Sequence, residues 1–186
     1  MLYISKGMTN KSSGNVLSIS RGNQTYRLNG IAAELWDRGR FGFAQTKNIQ
    51  EENIINSFVK SGLAESEIEN TPLGKYRMLT RCVCCPIKSF RPKFLLGALE
   101  CYLMTWIYKA GIRLSTAELV YLYENKILPS KELLYENNRQ TLVERIYTAD
   151  NISDNILETQ MENVRCRDDV VDAIIGLLRK KYIVLL

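Results

Sequence analysis

The stretch from residue 14 to residue 37 constrains the fold of this chain more than any other part of the sequence. Apolar and small polar residues alternate over residues 16–20, which is the two-residue period of a half-buried strand. Residues 21–24 hold a glycine and an asparagine, which favour a turn. Residues 25–28 can pair back onto the first arm. The stretch therefore predicts a β-hairpin.

A short amphipathic helix is predicted directly after the hairpin. Asn29 stands at the N-cap position, where its side-chain oxygen can accept a hydrogen bond from a free backbone N–H of the first turn. Helix 30–37 then has one apolar face, made of Ile31, Ala32, Leu35 and Trp36.

These residues resemble the beginning of a PqqD-like domain. The resemblance rests on the pattern Tyr-x-Leu-Asn-x-x-Ala-x-x-x-Trp, formed by Tyr26, Leu28, Asn29, Ala32 and Trp36. It is clear over residues 14–37 and extends to about residue 65. PqqD-like domains are the leader-peptide recognition elements of bacterial peptide-modification pathways.

The resemblance implies a three-stranded sheet on three helices, with a partner's leader peptide added as a fourth strand between the last strand and a helix. In this chain the receiving edge would be residues 25–28, and the facing helix would be 49–62. The segment Arg38–Asn48 departs from the family because it is short and contains glycine. The implied peptide-binding residues are Thr25, Tyr26, Arg27, Leu28, Ile55, Phe58 and Val59.

The positive charge of the chain lies in its first half. Residues 1–92 carry 13 Lys and Arg against 7 Asp and Glu, whereas residues 93–186 carry 12 against 13. A basic module favours an acidic partner, either an acidic peptide or a nucleic acid. Ordinary solubility charge is the alternative. The candidate contacts to an acidic partner are Arg21, Arg38, Arg40 and Lys47.

The chain has no histidine and five cysteines. The first count excludes Cys/His and Ser/His/Asp catalysis and every histidine-containing metal site. Cys82, Cys84 and Cys85, joined by Cys101 or Cys166, hold enough thiolates for zinc or an iron–sulfur cluster, but their spacing is not the usual one. We predict no metal, no cofactor and free thiols in a reducing cytoplasm. We also predict no membrane span, because the longest apolar run, residues 94–108, is too short.

The sequence predicts two domains of an α+β fold with winged-helix-like modules and small antiparallel sheets. Residues 1–91 form the PqqD-like module, and residues 92–186 form a mostly helical one. In the first module we also expect a strand at residues 2–4 and another at residues 76–80. In the second we expect helices 93–109, 116–125, 131–148 and 168–181, a short helix within 151–164, and a terminal strand at 182–186.

No reaction can be assigned from these residues, so we expect a protein that is not an enzyme. The function that fits best is recognition of a precursor or leader peptide, or of a peptide-modifying enzyme. A winged-helix transcriptional regulator that binds DNA is the alternative, with helix 49–62 or 131–148 as its recognition helix. Helix 93–109 is apolar nearly all round, so it must be buried in its module, against the first module or in a homodimer.

Overall fold

A computed structural model describes most of the chain, namely residues 1–9, 16–87, 96–109, 113–135, 139–150 and 152–186. These residues form helices and small antiparallel sheets, and helices dominate the second half, so the predicted α+β class is confirmed. They divide into two compact units, Met1–Cys82 with Val184–Leu186, and Val83–Ile183. The domain boundary predicted near residue 91 lies outside the described residues.

The first unit alternates short strands with three helices. Its elements in chain order are β1 (Leu2–Ser5), β2 (Met8–Thr9), β3 (Val16–Arg21), β4 (Gln24–Asn29), α1 (Gly30–Arg38), β5 (Ala44–Gln45), α2 (Ile49–Lys60), β6 (Ala64–Glu67) and α3 (Pro72–Thr80). The strands form two antiparallel sheets, one in the order β5-β1-β6 and the other in the order β2-β3-β4.

The predicted hairpin is confirmed as the pair β3–β4. Its register runs from Arg21 opposite Gln24 to Val16 opposite Asn29. The two-residue turn begins with Gly22, whose φ is +57°. A glycine at the first central position of a two-residue turn matches the twist of the paired strands, because glycine adopts a positive φ without a steric penalty.

The core of the first unit joins the hairpin to α1 and α2. Its buried residues are Tyr3, Ile19, Leu35, Trp36, Ile55, Phe58, Leu63 and Ala64. The polar atoms of two aromatic core residues form hydrogen bonds with buried backbone carbonyls. The Tyr3 hydroxyl donates to Leu35 O at 2.9 Å, and Trp36 Nε1 donates to Lys6 O at 3.2 Å. Trp36, the last residue of the PqqD-like pattern, is therefore a core anchor.

The strand predicted at residues 76–80 is wrong, because these residues belong to helix α3. The Thr71 side chain caps this helix by accepting from Gly74 N at 3.0 Å, and Pro72 occupies its first turn. Threonine followed by proline is typical of a helix start as well as of a turn. Tyr76 and Leu79, which are three residues apart and therefore lie on one face of a helix, are both buried, as the helix requires.

The predicted cap at Asn29 is also wrong in one respect. Helix α1 does begin after Asn29, but the Asn29 side chain makes no capping hydrogen bond. A side-chain cap is present at the next helix instead. At the start of α2, Asn48 Oδ1 accepts a hydrogen bond from Glu51 N at 2.9 Å.

We therefore expect Asn48→Ala to lower the free energy of unfolding by about 1 kcal/mol, the usual contribution of a helix cap. Asn29→Ala is the matched control and should change it by less than about 0.5 kcal/mol, since no bond is lost. Urea denaturation followed by circular dichroism measures both. Equal losses would contradict the assignment of the caps.

The second unit is mostly helical. Its elements are β7 (Cys84–Pro86), α4 (Ala98–Lys109), α5 (Thr116–Glu124), α6 (Lys131–Tyr135), α7 (Arg139–Ile146), α8 (Asp154–Met161), α9 (Arg167–Arg179) and the start of β8 (Ile183–Leu185), whose last two residues belong to the first unit. Helix α4 packs on α9, and α5 packs on α8 and α9.

Most sequence predictions for the second unit hold at the level of elements. The predicted helix 93–109 begins at Ala98 instead, and residues 93–95 lie outside the described part of the chain. The capping box of α5 is confirmed, with Ser115 and Glu118 bonded reciprocally. The helix predicted over 131–148 is described as α6 and α7, and residues 136–138 between them are not described.

Candidate peptide-binding edge

Strand β4 lies at the edge of its sheet. It pairs with β3 on one side, and among the described residues no strand pairs with its other side. An edge strand presents a row of backbone N–H and C=O groups that another extended chain can use. The edge predicted from the sequence, Thr25–Leu28, lies within this strand.

The register decides which backbone groups of β4 face outward. In a two-residue hairpin the pair that closes the turn, here Arg21 and Gln24, exchanges both of its backbone hydrogen bonds. Along the strands after it, hydrogen-bonded pairs alternate with pairs that make no backbone hydrogen bond to each other. Tyr26 and Leu28 therefore bond to β3. The N–H and C=O groups of Thr25 and Arg27 point away from β3, toward the open edge.

The side chains of β4 alternate in the same way. Thr25 and Arg27 are exposed, whereas Tyr26 and Leu28 are half-buried and pack against the core of the first unit. The Tyr26 hydroxyl lies within hydrogen-bonding distance of Gln24 Oε1 and of Ser61 O, the latter at 3.3 Å. Because Ser61 caps the end of α2, Tyr26 ties the edge strand to that helix.

Of the predicted residues on α2, one remains accessible. Ile55 and Phe58 are core residues, exposed by 0% and 5%, so a ligand cannot reach them without disturbing the core. Val59 is half-buried and packs at the margin of the same core. We therefore assign Tyr26, Leu28 and Val59 as the apolar part of the edge surface and leave Ile55 and Phe58 out.

Arg38 is used inside the unit. Its guanidinium makes a two-point ion pair with Glu51, Nη1 to Oε2 at 3.1 Å and Nη2 to Oε1 at 3.3 Å. Glu51 also accepts from the backbone N–H of Lys47 at 2.8 Å. The hydrogen bonds from Arg38 lower the pKa of Glu51, and the Lys47 bond adds to this effect. This ion pair joins α1 to α2, so the charge of Arg38 is already compensated within the unit although its side chain is 33% exposed.

Two more of the predicted cations also pack internally. The Arg40 guanidinium lies 4.8 Å from the ring centroid of Phe41 and 5.8 Å from that of Trp36, which is cation–π geometry. Arg21 lies so close to Gly62 that a Cβ there would collide with its guanidinium. Lys47 is exposed. Arg27 is exposed on β4 itself and is the cation nearest to the open edge groups.

The sequence did not reveal a cluster of charges around the buried Lys6. Lys6 is 3% exposed, and its Nζ donates to Glu65 Oε1 at 3.0 Å and to Arg81 O at 2.8 Å. Arg81 in turn pairs with Glu65 at 3.4 Å and with Glu67 at 2.6 Å. The alternation of Glu65 and Glu67 on one face of β6 was the available signal.

The cysteines show no metal-binding arrangement within the described ranges. No group of three or more Cys, Asp or Glu side chains there has a geometry that could hold a metal ion. All five thiols are free, and burial raises the pKa of Cys82 to about 12, so this thiol is neutral. A neutral, buried thiol behaves as a small apolar side chain.

Comparisons with known proteins identify no relative. No protein-family model, no curated protein and no solved structure matches this chain. In the described part of the chain, every helix is too short or too polar to span a bilayer.

Proposed function

We propose that this protein is a non-catalytic peptide-binding protein, in which an extended segment of a partner peptide adds as a strand to the open edge of β4. The observation that carries the proposal is the outward-facing backbone of Thr25 and Arg27 on an edge strand. Backbone hydrogen bonds supply the affinity in this mode of binding, which is known as β-augmentation.

The side chains around the edge suit a peptide of alternating character. Every second residue of an added strand would face the core side of the sheet, where Tyr26, Leu28 and Val59 are partly accessible. The other residues would share the exposed face with Thr25 and Arg27, where a carboxylate opposite Arg27 forms a favourable cross-strand pair.

The pattern from Tyr26 to Trp36 supports a leader peptide of a peptide-modification pathway as the partner, in the reducing cytoplasm that five free thiols favour. DNA binding is not favoured by the helix next to the edge. Lys60 is the one basic residue of α2, and Glu52 in its first turn adds a negative charge that repels phosphates.

The proposal is tested by replacing Arg27 in two ways. Arg27→Pro removes one outward N–H and leaves the ladder to β3 intact, because proline is tolerated on the open side of an edge strand. Arg27→Ala removes the charge and keeps the N–H. Both are compared with the unchanged protein on arrays of short synthetic peptides. We expect Arg27→Pro to weaken every captured peptide at least about ten-fold, the effect of losing a backbone bond together with strand alignment.

Arg27→Ala should weaken acidic peptides more than neutral ones, by about five-fold or less, as for an exposed ion pair. Hydrogen exchange gives an independent reading, because the Arg27 amide should exchange fast in the free protein and become protected when a captured peptide is added. Unchanged binding by Arg27→Pro, or no captured peptide at all, would contradict the proposal.

A further inference from the structure

The second unit contains an open cavity of about 660 Å³ that plays no part in the proposed peptide site. It lies between α4, the end of α5 and the start of α9. Its size falls in the range of small-molecule sites, which enclose about 300–1,000 Å³. Side chains that define it include Tyr102, Tyr123, Lys126, Leu128, Arg165 and Asp169.

Two tyrosine rings form the aromatic wall of the cavity. The ring centroids of Tyr102 and Tyr123 lie 5.4 Å apart at an angle of 61°, an edge-to-face contact. The Tyr102 hydroxyl donates to Ile127 O at 2.7 Å, which fixes its ring against the segment after α5. Both side chains are half-buried, so each keeps part of its surface toward the cavity.

The backbone at Lys126 is held in one conformation. Lys126 has a φ of +54°, a value that favours glycine, and it ends α5 with two backbone bonds, Lys126 N to Tyr123 O at 3.0 Å and Ile127 N to Leu122 O at 2.9 Å. Lys181 ends α9 with the same backbone conformation and hydrogen bonds, so the primary role of this motif is to terminate a helix. At Lys126 the stop also fixes the backbone of a residue that lines the cavity.

Charges of both signs line the cavity. Lys126 and Arg165 contribute cations, and Glu124 and Asp169 contribute carboxylates. All four residues are exposed, and within the described residues no ion pair joins any two of them. The Cys166 thiol is neutral, since burial and its hydrogen bond to Glu124 raise its pKa to about 12. A ligand carrying one positive and one negative group would meet a counter-charge for each.

We propose that this cavity binds a small zwitterion with an aromatic body, of the class of the aromatic α-amino acids. The ring lies against Tyr102 and Tyr123, Arg165 receives the carboxylate, and Asp169 receives the ammonium group. The guanidinium suits a carboxylate because its planar donors match both oxygens.

Calorimetric titration of the full chain tests this proposal with three probes that share a phenyl ring. L-Phenylalanine carries both charges, hydrocinnamate lacks the ammonium group, and phenethylamine lacks the carboxylate. We expect L-phenylalanine to bind up to about five-fold more tightly than either single-charge probe, since each exposed ion pair contributes up to that factor. Glycine, which has no ring, should not bind measurably.

Two charge variants assign the two ends of the ligand. Arg165→Gln should remove the preference for L-phenylalanine over phenethylamine, and Asp169→Asn should remove the preference over hydrocinnamate. Asp172→Asn and Arg179→Gln, on exposed positions of the same α9, are the matched controls and should bind as the unchanged protein does. The proposal is overturned if L-phenylalanine binds no better than the single-charge probes, if it does not bind, or if both cavity variants keep full selectivity.

Discussion

The variant Leu103→Glu is expected to unfold the second unit. Leu103 lies on α4 with 0% of its surface exposed, and α4 packs on α9 within that unit. A glutamate there must bury a charge with no partner or push the two helices apart. We expect the free energy of unfolding of this unit to fall by more than about 4 kcal/mol, which is most of the stability of a small domain.

Hydrogen exchange read by mass spectrometry measures this loss region by region. Peptides from α4, α5 and α9 should lose protection, while peptides from the β3–β4 hairpin keep theirs, because the hairpin belongs to the other unit. Ala98→Glu is the matched control. It adds the same carboxylate to an exposed position in the first turn of the same helix, where the helix dipole favours negative charge. Wild-type protection of α4 in Leu103→Glu would refute the expectation.

The second large effect concerns the buried cation Lys6. Glu65→Gln removes the carboxylate that faces both Lys6, at 3.0 Å, and Arg81, at 3.4 Å. Lys6 then keeps a buried charge whose nearest acceptors, Arg81 O and the new amide, are neutral. Removing one partner of a buried pair generally lowers the free energy of unfolding by about 3–5 kcal/mol, and we expect a loss at the lower end of that range.

Lys6→Met is the informative counterpart, because it removes the buried charge and keeps the apolar stem. Glu65 still has Arg81 as a partner, so we expect a change within about 1.5 kcal/mol. Guanidinium denaturation followed by tryptophan fluorescence compares the two variants, since Trp36 Nε1 donates to Lys6 O. Similar losses in both would mean that the pair stabilises the unit through its mutual attraction rather than through compensation of a buried charge.

The hairpin and helix α1 were predictable because their determinants are local. The alternation over residues 16–20, the glycine of the turn and the apolar face of residues 30–37 all lie within a few residues of the structure they specify. Helix α3 was not predictable in the same way. Thr71 and Pro72 fit a turn and a helix start equally well, and only the packing that buries Tyr76 together with Leu79, three residues on, selects the helix.

The candidate edge was predicted in part. The sequence placed Ile55, Phe58 and Val59 on one face of a helix, but it could not say whether the unit itself or a ligand covers that face. The structure shows Ile55 and Phe58 in the core, together with Trp36 from the PqqD-like pattern. The register of the hairpin, by contrast, made the outward backbone of Arg27 derivable once the turn was known.

By itself the sequence determined the periodicity of the hairpin strands and of most helices, the hairpin turn and the excess of positive charge in the first half. The tertiary structure alone decided which polar residues are buried and what they meet. In the sequence, Lys6 looks like an ordinary lysine of a surface loop. In the structure it is buried, and its partners Glu65 and Arg81 lie 59 and 75 residues further along the chain. No local pattern encodes such a pairing, because desolvation of a charge depends on every segment that packs around it.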